Sequence, residues 1–346
     1  MNSRERVIRT LNFQETDRVP LDFGGRLNDL MRHYNAPDAD TVKGILGIDF
    51  RQMGWLFHTY RGPERTVNGY AADYWGVPKE CGVGDTNVLC PLSEIMSVDQ
   101  VEGYAWPSAD DFCYDSVESD IDAIKDYYVT ANVWAPFFHN FTWLCGFENS
   151  LMYLASEPEI TKSMLRNIMD FWLEYTRNVL ERGRGRIDCV GNYNDFGSQK
   201  GMIMSPKTWR TFFKPELKRL YDLIKGHGAK VFQHSCGAVA EIIPDLIEIG
   251  VDILNPVQVA ADGMDPGFLG REFGGKIVFH GGIDTQHVLP KATEAEVRAE
   301  VGRIIRTLGE KGGYILCGTQ EFMDDIPIGN IVAVYEEAKN HPVLKK

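Results

Sequence analysis

The chemically richest stretch of the sequence is residues 230–237, KVFQHSCG. His234 and Cys236 stand two positions apart, so both side chains project to one side wherever the backbone is extended. Imidazole nitrogen and thiolate sulfur are preferred ligands of zinc, and a catalytic zinc site leaves one position open for substrate. Cys317, which ends the last predicted strand, offers a third ligand. The spacing predicts a zinc site; the alternative is a histidine held at a strand end by structural hydrogen bonds.

Other polar residues follow predicted strands and are candidates for catalysis or binding. His280 is predicted to act as a general acid or base, because the two glycines after it let the backbone approach a ligand closely. Asp195 is a second catalytic candidate, as a carboxylate near the ion. The alternatives are a structural histidine followed by a capped turn, and ordinary turn chemistry at 191–199. Substrate hydrogen bonds are predicted for Asp22, Asn192, Asn255, Asp284 and Gln320.

A group of aromatic residues follows the strand predicted at 128–133. Such a group can form the wall of a site for a large planar ligand, or it can belong to the hydrophobic core. Its members are Trp134, Phe137, Phe138, Phe141 and Trp143.

The elements that must position these residues are strands alternating with helices. From about residue 124 onward, short β-branched runs alternate with capped amphipathic segments, which is typical of βα units. Strands are predicted to start near residues 18, 128, 187, 229, 251, 276 and 314. In a parallel barrel the carboxyl ends of the strands meet at one mouth, so the candidates above become neighbours.

The predicted fold class is α/β, with residues 1–346 forming a single (β/α)8 TIM barrel. Residues 24–122 lack a clear period and are interpreted as a long N-terminal excursion that contains the eighth strand and supplies a lid or a substrate wall. A doubly wound open sheet is the alternative fold, but its glycine-rich phosphate turn is missing after the first predicted strand.

The composition argues against several classes of partner. A net charge of -13 and a pI near 5.1 would repel phosphate backbones, so nucleic acid is not expected as a partner. No stretch reaches the roughly 18 apolar residues of a membrane span, and the first residues lack the apolar core of a signal peptide. The seven cysteines form an odd, widely spaced set, which is typical of reduced thiols. We therefore expect a cytoplasmic protein without a membrane partner.

Several motifs together resemble the uroporphyrinogen decarboxylase superfamily, and more closely its MtaA/CmuA-like zinc methyltransferase branch. The resemblance extends over nearly the whole chain and implies a (β/α)8 barrel and a plausible homodimer. The motifs are RERV at 4–7, DRVP at 17–20, GMIMSP at 201–206, VFQHSCG at 231–237, IPDL at 243–246, GGID at 281–284 and GYIL at 313–316.

The resemblance also implies a cofactor and a reaction. In methyltransferase members a His-x-Cys pair and a later cysteine hold Zn2+, which carries over to His234, Cys236 and Cys317, although the family's third cysteine lies a few residues further, near Thr319 or Gln320 here. Zinc lowers the pKa of a bound thiol and presents the thiolate that accepts a methyl group. The chain has no D-x-H-x-x-G motif, so the corrinoid that carries the methyl group is expected on a separate partner protein.

Two other functions remain as alternatives. One is metal-free decarboxylation of a porphyrinogen or another polycarboxylate; residues 20–26 retain Arg26 but lack the Met-Arg-Gln run of true uroporphyrinogen decarboxylases. The other is a non-catalytic barrel that only binds a ligand.

Overall fold

The computed structural model describes residues 1–67, 69–78 and 90–341. Within these ranges seven strands form one curled parallel sheet in the order β1-β4-β5-β6-β7-β8-β9, and β2 pairs antiparallel with β3 as a separate hairpin. The strands are β1 (Phe50–Gln52), β2 (Arg65–Val67), β3 (Tyr70–Ala72), β4 (Tyr128–Trp134), β5 (Cys189–Tyr193), β6 (Lys230–His234), β7 (Ile253–Val257), β8 (Val278–Ile283) and β9 (Tyr314–Gly318).

Helices connect the parallel strands, as the βα rhythm predicts from residue 124 onward. Thr293 and Glu296, whose spacing predicts a capping box, form one at the start of α13 and confirm that helix boundary. The helices are α1 (Ser3–Leu11), α2 (Leu27–Tyr34), α3 (Ala39–Leu46), α4 (Val98–Glu102), α5 (Val117–Ile124), α6 (Phe137–Cys145), α7 (Phe147–Ser156), α8 (Pro158–Gly183), α9 (Pro206–Phe212), α10 (Lys214–Gly226), α11 (Ile243–Ile249), α12 (Pro266–Phe273), α13 (Glu294–Leu308) and α14 (Ile328–Asn340).

An apolar layer fills the interior of the curled sheet toward the amino ends of its strands. Each of the seven parallel strands contributes one buried side chain to this layer, and α1 adds two more from below. We call this layer the floor. Because the floor occupies the amino-terminal side of the sheet, polar side chains lie at the carboxyl ends of the strands. The floor consists of Val7, Leu11, Phe50, Tyr128, Cys189, Phe232, Ile253, Val278 and Ile315.

Residues 20–22 lie between the two edges of the sheet. The amide of Leu316 in β9 donates to the carbonyl of Pro20 at 2.9 Å, and the amide of Asp49, just before β1, donates to the carbonyl of Leu21 at 2.9 Å. Leu21 also forms a one-residue parallel bridge with Leu316. The segment therefore contacts both edge strands through its backbone.

The carboxylate of Asp49 strengthens this contact from inside. Asp49 is fully buried and accepts hydrogen bonds from Arg6 at 2.6 Å, from Arg18 at 2.7 Å and from the amide of Leu21 at 2.9 Å. A buried carboxylate is tolerated when its charge is paired and its lone pairs are filled, and both conditions hold here. Asp49 thus ties α1 and residues 18–21 to the start of β1.

Three predicted elements differ from the structure. The strand predicted at 18–23 is reduced to the Leu21 bridge, because Pro20 has no N–H to donate to a ladder. Ser205 and Pro206 predict the start of a helix that runs to about residue 225, but the structure has two helices there, with Pro215 in the first turn of the second. The sequence also predicts one helix over residues 239–249; in the structure this segment begins as a 3-10 turn, and α11 follows with Pro244 in its first turn.

The region 24–122 is more regular than its sequence suggests. It contains α2, α3, α4 and most of α5, together with the hairpin and β1, which is the strand that the sequence predicted within this region. The parallel sheet of the described residues therefore has seven strands rather than the predicted eight, since residues 18–23 form only a bridge. Residues 68 and 79–89, including Cys81, lie outside the described residues. No helix of the described ranges is long and apolar enough to cross a membrane.

Candidate metal centre at the strand ends

Three potential metal ligands meet where β6 ends. His234 is the last residue of β6, and Cys236 follows two residues later. His234 Nε2 lies 3.3 Å from Cys236 Sγ and 3.4 Å from Asp195 Oδ1, and the Cys236 amide donates to the same carboxylate oxygen at 2.8 Å. One ligand atom from each residue lies within 4.8 Å of the others. The His-x-Cys pair therefore shares one face, and Asp195 joins it from the loop after β5.

These separations suit a zinc ion. Zinc bonds of about 2.0 Å to nitrogen or oxygen and about 2.3 Å to sulfur, set at tetrahedral angles, keep the ligand atoms roughly 3.3–3.6 Å apart. The distances from His234 Nε2 to Cys236 Sγ and to Asp195 Oδ1 match this spacing. With three protein ligands, the fourth tetrahedral position would be open to a substrate, as catalytic zinc sites require.

The charges within the group are strongly coupled. Burial would lower the pKa of His234, but hydrogen bonds with Asp195 and Cys236 outweigh burial and raise the pKa to about 10. Burial would raise the pKa of Asp195, but hydrogen bonds from His139 and His234 outweigh it and hold that pKa well below its usual value. Without a metal, the imidazole of His234 is thus protonated, and its positive charge lies where a metal cation would bind.

Gln320 reaches the group from the loop after β9, whereas Cys317 does not belong to it. The Gln320 amide donates from Nε2 to Cys236 Sγ at 2.7 Å. Cys317 lies within β9, where burial raises the pKa of its thiol well above the ordinary value. The third donor of the group is the carboxylate of Asp195 rather than the thiol predicted from the strand pattern.

Asn255, His280 and Asp22 extend the site across the mouth of the curled sheet. His234 Nδ1 lies 2.5 Å from Asn255 Oδ1, and Asn255 Nδ2 lies 2.7 Å from His280 Nδ1. His280 Nε2 in turn lies 3.0 Å from Asp22 Oδ2. Four of the predicted site residues are therefore linked in one hydrogen-bonded chain that starts at the candidate metal ligands.

Two predicted substrate-binding residues have other partners. Asn192 is fully buried; it donates to the carbonyl of Phe232 at 2.9 Å and accepts from Tyr221 of α10 at 3.3 Å. Asp284 accepts the amides of Gln286 and His287 at 2.8 and 2.9 Å, which is the turn-capping alternative for this residue. Asn192 thus links β5 to β6 and α10, and Asp284 caps the turn that follows β8.

Two residues that sequence reasoning missed contact the candidate ligands. His139 Nε2 lies 3.5 Å from Asp195 Oδ2, and the buried Nδ1 of His139 has no hydrogen-bond partner in the described residues. The ring of Tyr193 lies 5.0 Å from that of His234. His139 follows the aromatic run at the start of α6, and no spacing in the sequence relates it to His234.

The predicted aromatic group divides between core and site. Phe137, Phe138 and Phe141 are buried in the core. Trp134 and Trp143 are only half-buried; their rings lie 5.9 Å apart, and Trp143 lies 5.7 Å from the ring of His139. Trp143 thus lies beside His139, which contacts the candidate ligand Asp195, and Trp134 packs against Trp143, while the three phenylalanines belong to the core.

Gly237 fixes the position of the loop that carries Cys236. Its φ is +81°, and an added Cβ would lie 2.6 Å from backbone atoms of Gly197 and Ser198. We expect Gly237→Ala to destabilise the fold by more than about 1 kcal/mol and to weaken zinc binding, because the loop must move away from Asp195. Gly228→Ala is the matched control: its φ is +82°, but its added Cβ meets nothing within 4 Å. Equal urea midpoints and equal zinc affinities for both variants would contradict this prediction.

Comparison with known proteins agrees with the fold. The model of the uroporphyrinogen decarboxylase (URO-D) family matches residues 88–341. The chain therefore belongs to the uroporphyrinogen decarboxylase family.

Individual relatives are more distant. Uroporphyrinogen decarboxylases from two strains of Thermus thermophilus are each 25% identical to the chain over 187 residues, which is 54% of this chain and 50% of each relative. The match thus spans about half the length of these curated relatives. A methyltransferase from Methanosarcina mazei has a similar fold, with a TM-score of 0.65, 15% identity and 98% of both chains covered.

Proposed function

We propose that the protein is a zinc-dependent methyltransferase that moves a methyl group from a corrinoid protein, or from a small methylated substrate, to a thiol or related acceptor. The observation that carries the proposal is the group of imidazole, thiol and carboxylate that lies at the strand ends within 4.8 Å. The similar fold of the methyltransferase from Methanosarcina mazei agrees with the proposal. A cytoplasmic location and a homodimer remain predictions.

The chain's own residues supply binding, orientation and proton transfer. His234, Cys236 and Asp195 would hold a zinc ion, which lowers the pKa of a thiol bound at the open position. In the transfer, a sulfur lone pair forms the new bond to carbon, and the electrons of the broken bond stay on the donor. The thiol proton would leave to the carboxylate of Asp22, because both ring nitrogens of His280 are already hydrogen-bonded, one to Asn255 and one to Asp22. Gln320 orients Cys236 by donating to its sulfur.

The proposal includes a closed barrel. Residues 20–22 would serve as a short strand between β9 and β1, since backbone hydrogen bonds reach both neighbours. Closure would bring Asp22 to the same mouth as His280, and their hydrogen bond of 3.0 Å supports that arrangement. The corrinoid protein would dock over this mouth.

Decarboxylation of a porphyrinogen is the second candidate, favoured by the relatives from Thermus thermophilus. A polycarboxylate substrate needs cationic side chains that are free to pair with it. Arg26, the arginine of the segment 20–26, is instead held by Asp29 and by the carbonyl of Ile326 at 2.8 Å. These contacts favour methyl transfer over decarboxylation.

Metal removal tests the proposal. We expect the purified protein to contain about one zinc ion per chain, and a chelator to remove zinc and methyl transfer together. The activity is measured as the change in absorbance when a methyl group passes from methylcobalamin to a small thiol. Addition of zinc should restore this activity to the metal-stripped protein. A metal-stripped protein with full activity would rule out the zinc mechanism. Turnover of uroporphyrinogen without metal would establish the decarboxylase instead, and inactivity in both assays would leave a ligand-binding barrel.

A further inference from the structure

The side chain of Asn255 lies between two histidines that belong to different strands. Asn255 in β7 pairs in register with His234 in β6, and His280 follows on β8. The amide oxygen lies 2.5 Å from Nδ1 of His234, and the amide nitrogen lies 2.7 Å from Nδ1 of His280. The amide of Asn255 therefore contacts Nδ1 of both histidines, with its oxygen facing His234 and its nitrogen facing His280.

The two ends of an amide have different hydrogen-bonding roles. The nitrogen can only donate, so Nδ1 of His280 must offer a lone pair, and the His280 proton must sit on Nε2, facing Asp22. The oxygen can only accept, so Nδ1 of His234 must carry a proton. Nε2 of His234 is then the atom that faces Cys236 and Asp195.

The environment of His280 keeps its ring in this orientation. The side chain is 2% exposed, and the rings of Phe232 and Phe50 lie edge-on at 5.2 and 6.1 Å. Its partner Asp22 uses its other carboxylate oxygen to accept the amide of Phe23 at 2.8 Å. The imidazole is thus packed between two floor residues and held at both nitrogens.

We propose that Asn255 is a positioning residue that fixes the protons of both histidines. It keeps Nε2 of His234 available as a metal ligand, and it keeps His280 as the neutral Nε2–H form that donates to Asp22. Because an amide neither gains nor loses a proton near neutral pH, it also prevents the metal ligands and the His280–Asp22 pair from exchanging a proton. The part of this proposal that concerns His234 rests on the proposed zinc function, whereas the part that concerns His280 does not.

The test combines nitrogen NMR of histidine-labelled protein with zinc titration. In the wild type, we expect the His280 signal, assigned from its absence in His280→Gln, to report a proton on Nε2 with and without zinc. Asn255→Leu should lower zinc affinity about 10–100-fold, as loss of the partner of a ligating histidine does. Asn255→Asp should retain most of that affinity, because its carboxylate still accepts from His234, but it should draw a proton onto Nδ1 of His280.

A matched control separates positioning from general damage to the fold. Asn330 is also buried and donates twice, to the carbonyls of Leu289 and Ala292 at 2.8 Å. Asn330→Leu should lower the stability while leaving the zinc affinity of the folded protein and the His280 signal unchanged. A wild-type His280 protonated on Nδ1, or an Asn255→Leu protein with wild-type zinc affinity, would overturn the proposal. A wild type that binds no zinc but shows His280 in the Nε2–H form would refute the zinc function alone.

Discussion

Replacing Cys236 with serine is expected to remove zinc and methyl-transfer activity together while the fold stays intact. A serine hydroxyl remains protonated at neutral pH and replaces the thiolate poorly as a zinc ligand. The loss in zinc affinity should exceed the roughly 10–100-fold loss that follows removal of a partner behind a ligand. Zinc content by mass spectrometry, activity with methylcobalamin and circular dichroism measure the three parts of this prediction.

The control for this variant is Cys113→Ser. Cys113 is a partly buried thiol that lies 3.2 Å from Asp115, away from the candidate ligands. Its replacement should leave zinc content and activity at wild-type values. If Cys236→Ser kept its zinc, or lost activity while keeping zinc, the proposed ligand set would be incorrect.

Replacing Asp49 with asparagine is expected to lower the free energy of unfolding by about 3–5 kcal/mol. The change leaves the guanidinium groups of Arg6 and Arg18 without the buried charge that pairs them. It also turns an amide N–H toward groups that are themselves donors, including the backbone amide of Leu21. Urea unfolding followed by tryptophan fluorescence measures the effect.

Asp17→Asn is the comparison for the Asp49 variant. Asp17 also pairs with Arg6, at 2.6 Å, but its side chain is 43% exposed. Its loss should cost less than about 1 kcal/mol, since solvent screens an exposed pair and Arg6 keeps Asp49. Similar urea-unfolding midpoints for Asp49→Asn and Asp17→Asn would mean that the Asp49 carboxylate does not stabilise the junction between the two sheet edges.

The parts of the site that could be predicted from sequence are those set by local geometry. His234 and Cys236 share a face because alternate residues of extended chain do so, and the spacing alone carries that information. The strand ends could be located because each strand is followed by a capped or proline-started helix. The mouth that brings His280 near Asp22 follows from parallel strands rather than from any motif.

The remaining parts depend on distances along and between strands that no local pattern encodes. Cys317 belongs to β9 itself, whereas Cys236 and Gln320 lie beyond the ends of their strands; the thiol predicted as third ligand is buried within the sheet and is not part of the group of ligand atoms. Asp195 and His139 reach the group from the β5 loop and from α6. The sequence predicts Asp195 as a carboxylate near the ion, because its loop follows a strand, whereas the proximity of His139 is a product of packing that composition and spacing cannot supply.

The floor has a consequence for the order of events during turnover. Side chains from seven strands and from α1 close the lower end of the curled sheet. If the barrel is closed as proposed, reactants and products would enter and leave at the opposite end, on the side of His234 and Asp22. Under the proposed function, a carrier protein bound at that entrance would exclude small molecules, so we expect the methyl acceptor to enter first and the methylated product to leave only after the carrier has dissociated.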